Sequence, residues 1–156
     1  MLRVSKLADY AVIVMAEMAK QSQASCSGQQ LAELTQIALP TVRKILKLLL
    51  QSGLLMSTRG IKGGYALART ADNISIMDVI TAIDGPLAIT ECCHTDKQCQ
   101  RDACCPSRSN WHVINQAIRQ ILHSISVAQM NGQLTTLTTG LPWQIQVVNQ
   151  QEQGVC

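Results

Sequence analysis

The chain contains no phenylalanine, and two Trp and two Tyr are its only aromatic residues. With 47% hydrophobic residues, any core must be built from aliphatic side chains, and 156 residues suffice to bury one. No stretch approaches the ~20 consecutive apolar residues that a membrane-spanning helix needs. The opening MLRVSKLADYAVIVMAEMA is broken by Lys6, Asp9 and Glu17, and no small-residue cleavage site follows it, which argues against a secretory signal. A cytoplasmic chain with reduced thiols and no membrane partner is expected. No nucleophile–base or general-acid arrangement stands out, so neither catalysis nor a small-molecule substrate is expected.

Acidic residues are missing between Gln36 and Arg69, whereas Arg43, Lys44, Lys47, Arg59, Lys62 and Arg69 all fall there. Residues 1–70 carry nine basic and three acidic side chains; residues 71–156 carry four and seven. The net charge of +3 therefore hides a basic N-terminal half, suited to a polyanion or to a solvated face.

Hydrophobic spacing turns that charge into an organisation. Leu7, Ala11, Val14 and Met18 repeat at helical intervals over residues 4–20. Ser27 is placed to cap a short helix carrying Leu31, Leu34 and Ile37. After ALP, with Pro40 suited to a helix start, TVRKILKLLLQSG buries Val42, Ile45, Leu46 and Leu49 and stops at Gly53. Its other face shows Thr41, Arg43, Lys44 and Lys47. LLMSTRGIKGGYALAR then reads as a hairpin with a glycine-rich tip carrying Arg59 and Lys62. Two helices, a tight turn and a basic hairpin make a winged helix-turn-helix, whose second helix fits the major groove and whose wing reaches the backbone or minor groove. Double-stranded DNA is the expected partner.

Ser75 caps a further helix over SIMDVITAID, with Ile76, Val79, Ile80 and Ile83 inward, and Gly85-Pro86 ends it. From Arg108 the pattern is again helical: Trp111, Ile114, Ile118, Ile121 and Ile125 repeat at coiled-coil spacing, which suits a homodimer interface and a palindromic operator. The fold expected is mainly α with a small β-hairpin wing. Its divisions are a DNA-binding domain over 1–85, a cysteine-rich loop over 86–107, a dimerisation helix over 108–130, and a mobile tail over 131–156. That last stretch holds no Lys or Arg, and Trp143, Ile145, Val147 and Val148 could form a strand within it.

The loop ECCHTDKQCQRDACCPSRSNW holds five of the seven cysteines. It lacks the C-x₂-C knuckle usual for zinc. Cys93, Cys99 and Cys105 are evenly spaced, with Cys92 and Cys104 beside them, and in extended chain each doublet offers one ligand to one side. Such wide gaps favour an iron–sulfur cluster, while zinc and a thiol switch stay open. Lys97, Arg101 and Arg108 would favour thiolates and offset cluster charge.

SKLADYAV, the helix-turn-helix LAELTQIALPTVRKILKLLLQSGLL, the wing STRGIKGGYALAR, MDVITAIDGP and the C-x₅-C-x₅-C loop ending in Trp together resemble the iron–sulfur winged-helix regulators that include IscR and NsrR. The resemblance spans residues 2 to about 130. PTVRKILKLL and ECC…CCPSR are most similar to the branch regulating the SUF cluster-assembly operon. It implies a homodimeric repressor controlled by cluster status, with a [2Fe–2S] cluster expected ahead of [4Fe–4S], on Cys93, Cys99 and Cys105. Arg108 stands where the IscR type has a histidine ligand. Asp9 matches the first-helix Asp that completes the NsrR-type site, sometimes from the partner subunit, and is the expected fourth ligand; His94, His112, Cys92 and Cys104 are reserves, both histidines reading as surface residues. Thr41, Arg43, Lys44 and Arg59 carry over as DNA-reading positions, but Arg43-Lys44 replace an acid and an amide of the IscR type, so the operator sequence does not transfer. A nitric-oxide or redox sensor on the same scaffold, an iron–sulfur carrier, and a zinc-stabilised DNA-binding module are the rival readings.

Overall fold

Ser5 sets the entry to the first helix. Its hydroxyl accepts from the Ala8 N–H at 3.1 Å and donates to Asp84 Oδ1 at 2.6 Å, while its own N–H reaches Asp84 Oδ2 at 3.2 Å. Helix α1 (Lys6–Lys20) buries Ala8, Ala11, Val14, Met15 and Met18. The computed structural model describes residues 4–21, 25–60, 63–93, 105–132, 136–137 and 145–146.

Helix α2 (Gly28–Thr35) opens on a reciprocal cap: Gln30 N–H donates to Ser27 Oγ, and Ser27 N–H donates to Gln30 Oε1. It ends at Gln36, which adopts a left-handed φ of 56°, and the chain turns into α3 (Leu39–Gln51). Leu34 stays 51% exposed although the spacing places it inward. The helix stops one residue later, and Ile37 enters the core from the turn instead. Helix α3 buries Val42, Ile45, Leu46 and Leu49, the four residues its periodicity names.

Strands β1 (Leu55–Thr58) and β2 (Gly64–Leu67) pair antiparallel, with Leu55 opposite Leu67 and Thr58 opposite Gly64. A further backbone joins the root of this wing: Cys26 and Tyr65 exchange both main-chain hydrogen bonds at 2.9 Å. Gly64 makes that approach possible, because a Cβ there would lie 2.8 Å from the Cys26 carbonyl oxygen. Gly64→Ala is expected to cost about 1–3 kcal/mol, the usual scale of overpacking against atoms that cannot yield. Urea unfolding with an unchanged m-value and a lower midpoint would register it; an unchanged midpoint would show that the bridge gives way freely.

Helix α4 (Ile76–Asp84) has a second reciprocal cap, Ser75 with Asp78, and packs on α1 and α3. Ile76, Val79 and Ile80 are buried, and Ile83 packs at the edge of the core. Helix α5 spans Arg108–Ser124 and is shorter than the helix over 108–130 read from the sequence. At Ile125 the chain turns extended. Ile76 N–H donates to the Ile125 carbonyl and Val127 N–H to that of Ile74, both at 2.8 Å. Ile125 and Val127 thereby enter the core of their own chain, with exposures of 8% and 0%. A 3₁₀ turn at Ala128–Asn131 follows, and Asn131 Nδ2 donates to the Ala16 carbonyl at 2.9 Å, so Asn131 is docked on α1 and does not begin a tail. Beyond it, β3 (Thr136–Leu137) pairs antiparallel with β4 (Ile145–Gln146); Trp143, Val147 and Val148 lie outside the described residues. Among the described residues no helix is long and apolar enough to cross a membrane.

Candidate DNA-reading surface and metal-binding loop

Burial of four aliphatic side chains fixes the roll of α3 about its axis. Arg43, Lys44 and Lys47 are exposed on its opposite side and Thr41 is half-buried at its first turn. At ~100° per residue the three cations fall within about a quarter to a third of the helix circumference, a stripe narrow enough to face one groove. Arg59 is exposed directly after β1; Lys62 lies outside the described residues. Helix α3 leads into β1 and packs against it, so helix and wing share one support.

The cysteine segment begins on a 3₁₀ turn, Glu91–Cys93, and not on extended chain. Successive side chains in such a turn diverge by about 120°, so the doublet Cys92-Cys93 need not split to opposite sides. Both sulfurs converge on the Thr90 hydroxyl, at 3.1 Å for Cys92 and 3.2 Å for Cys93. The Cys93 thiol also points to the Trp111 carbonyl oxygen at 3.6 Å. His112, exposed in the second turn of α5, completes a group: a ring nitrogen and the sulfurs of Cys92 and Cys93 all lie within 4.8 Å of one another. The preceding segment is held to α5 by Ile89 N–H, which donates to the buried Asn115 Oδ1 at 3.2 Å. Cys105 stands at the other end of the loop, where its carbonyl accepts from Arg108 N–H at 3.3 Å.

Cys93 and Cys105 thus both sit at the N-terminal end of α5. Cys99, His94 and Cys104 lie outside the described residues. Asp9 is exposed on the first turn of α1, in a groove with Val12, Ile76, Ile80 and Leu122; it is not part of the Cys92–Cys93–His112 group. Sequence reasoning held Cys92 and His112 in reserve and did not bring them together. The available signal was that His112 falls four residues after Arg108, on the same helical face. Cys26 is 6% exposed beneath the wing; burial pushes its thiol pKa up, with Glu17 adding to the effect.

The seam on α5 divides. Trp111 and Ile114 are 41% and 44% exposed and Val113 is 67% exposed. Ile118 is half-buried, Ile121 packs against the core, and Ile125 belongs to it. The face open to a second chain is therefore the N-terminal half of the helix, and Ile125 is withdrawn from the interface read from the sequence.

Residues 4–133 match the Rrf2 family, described as iron-dependent transcriptional regulators. The chain is 30% identical over 130 residues to the HTH-type transcriptional regulator IscR of Xenorhabdus nematophila, covering 83% of this chain and 79% of that one. It is 29% identical over 109 residues to protein rrf2 of Nitratidesulfovibrio vulgaris, covering 70% and 73%. Among solved structures it is similar to CymR, the global cysteine regulator of B. subtilis (TM-score 0.68, 26% identity, covering 84% and 97%). It is also similar to IscR of T. potens (TM-score 0.64, 28% identity, covering 83% and 85%). The chain belongs to the Rrf2 family: it is a DNA-binding transcriptional regulator with a winged-helix fold, not an enzyme.

Proposed function

We propose that this regulator is a homodimeric repressor of genes for iron–sulfur cluster assembly, the SUF operon, and that an iron–sulfur cluster sets its operator affinity. The observation that carries the reading is the placement of Cys93 and Cys105 at one end of α5. The other end of that helix is joined by main-chain bonds to the start of α4, which packs on recognition helix α3. The donor set fits the cofactor: soft sulfur ligands at the positive end of a helix, which favours the negative charge of a thiolate-bound cluster. Cys93, Cys99 and Cys105 would hold it, [2Fe–2S] ahead of [4Fe–4S], with Asp9 as the fourth ligand carried from the family resemblance. When bound, the cluster supplies a charge and coordination state that respond to iron supply, oxidation or nitric oxide.

The chain's own residues perform the transmission. Coordination through both Cys93 and Cys105 would fix their separation and hence the seat of α5 against residues 86–93. Through the α4–α5 junction this sets the spacing of two recognition helices across a palindromic operator. Anaerobic purification with visible absorption, iron, sulfide and zinc analysis, and binding to a SUF promoter fragment against random duplex, tests the proposal. A colourless protein with one zinc per chain and no iron or sulfide would sink it. So would equal affinity for promoter and random DNA.

The wing supplies a cation to the DNA backbone. Arg59→Ala is expected to weaken operator binding and to lower the slope of log K against log salt by about 1 in magnitude for each phosphate that the guanidinium had neutralised. An unchanged slope would remove Arg59 from the interface.

A further inference from the structure

The cluster reading needs Cys93, Cys99 and Cys105, and leaves Cys92 and His112 without work. Yet these two lie with Cys93 in the one group of three donor atoms within 4.8 Å of each other among the described residues. We propose that Cys92, Cys93 and His112 form a second metal site, for a single zinc-class divalent cation, that the cluster-free protein fills. It deepens the cluster reading by naming what the same segment binds when the cluster is gone, and shares only Cys93 with it.

A tetrahedral ion with bonds of ~2.3 Å to sulfur and ~2.0 Å to imidazole nitrogen keeps its ligand atoms roughly 3.5–3.8 Å apart. Atoms already within 4.8 Å close to that separation by small side-chain rotations. The 3₁₀ turn at Glu91–Cys93 is what lets neighbouring cysteines serve one ion. Two sulfurs and one imidazole suit zinc-class softness, not calcium or magnesium. Thr90 is placed as the outer partner, its hydroxyl within hydrogen-bonding reach of both sulfurs. The frame is held on both sides, by Ile89 on Asn115 and by the turn bond from Cys93 N–H to the Thr90 carbonyl at 3.0 Å. Both cysteines are half-buried and His112 is exposed, so an ion enters without unfolding, and water can take the fourth position. Since Cys93 serves both sites, ion and cluster exclude one another.

Cobalt(II) is the probe. Full-length, reduced, cluster-free protein titrated anaerobically with Co²⁺ should take one ion per chain, with thiolate charge-transfer bands and the visible bands of tetrahedral cobalt, and Zn²⁺ should displace it. Cys92→Ser and His112→Ala should each weaken cobalt binding by at least ~10-fold, the scale seen even for outer-shell partners, while both still accept a reconstituted cluster. Cys99→Ala should bind cobalt as the parent does and fail to hold a cluster. Unchanged affinity in Cys92→Ser or His112→Ala, loss of cobalt in Cys99→Ala, or an octahedral spectrum would each overturn the site. A parent that binds cobalt in this pattern yet never holds a cluster would overturn the cluster reading and leave this site standing.

Discussion

Alanine at Cys93, Cys99 or Cys105 is expected to give a colourless protein that folds, binds DNA through α3 and the wing, and no longer changes its operator affinity with iron supply. A cluster held by thiolates loses a bond and an anionic donor with each substitution. Cys26→Ala is the control. That thiol is 6% exposed beneath the wing, and burial raises its pKa, which disfavours the thiolate that a cluster needs. The spectrum and iron content of anaerobically purified variants read the outcome directly. Full cluster in all three variants would refute the ligand set, and loss of cluster in Cys26→Ala alone would move the site to the wing.

Ile114→Glu should split the proposed homodimer. In one chain Ile114 is 44% exposed between Trp111 and Ile118 on the seam of α5, so a carboxylate there leaves the monomer core intact. Across a two-fold axis the same change places two charges in an apolar contact. An interface anchor is worth at least ~2 kcal/mol, roughly a 30-fold rise in the dimer dissociation constant, and operator affinity falls as the two half-sites cease to be bound together. Sedimentation at micromolar concentration should give monomers with parental helicity. Persistent dimers would mean that another surface carries the association.

The sequence carried the DNA-reading half of the molecule well, and the reason is physical. Val42, Ile45, Leu46 and Leu49 repeat at helical spacing, and burial of all four fixes which way Arg43, Lys44 and Lys47 point. Ser27 and Ser75 announce their helices because a cap is a local device, readable within four residues. Long-range pairing was invisible to the same reasoning. Ile125 continues the spacing of α5, but main-chain bonds that join residues 125–127 to Ile74 and Ile76, far away in the chain, take it out of the helix. Leu34 was misplaced for a related reason: periodicity does not say where a helix stops. At the candidate site the evenly spaced cysteines were legible, whereas the Cys92–Cys93–His112 group depends on a 3₁₀ turn that no composition signals. The assumption that adjacent cysteines face opposite ways held only for extended chain.

The two bonds between residues 74–76 and 125–127 have an evolutionary reading. Helix α4 and the C-terminal half of α5 both pack on the core, so the cysteine-bearing connection between them is an excursion with fixed ends. The closure entropy of such an excursion rises only as the logarithm of its length, about 0.6 kcal/mol per doubling. Insertions, deletions and exchanges of ligand between those points are therefore inexpensive for the rest of the fold. One DNA-reading body can carry sensors of different chemistry, and a lineage can change what it detects without first rebuilding how it binds its operator.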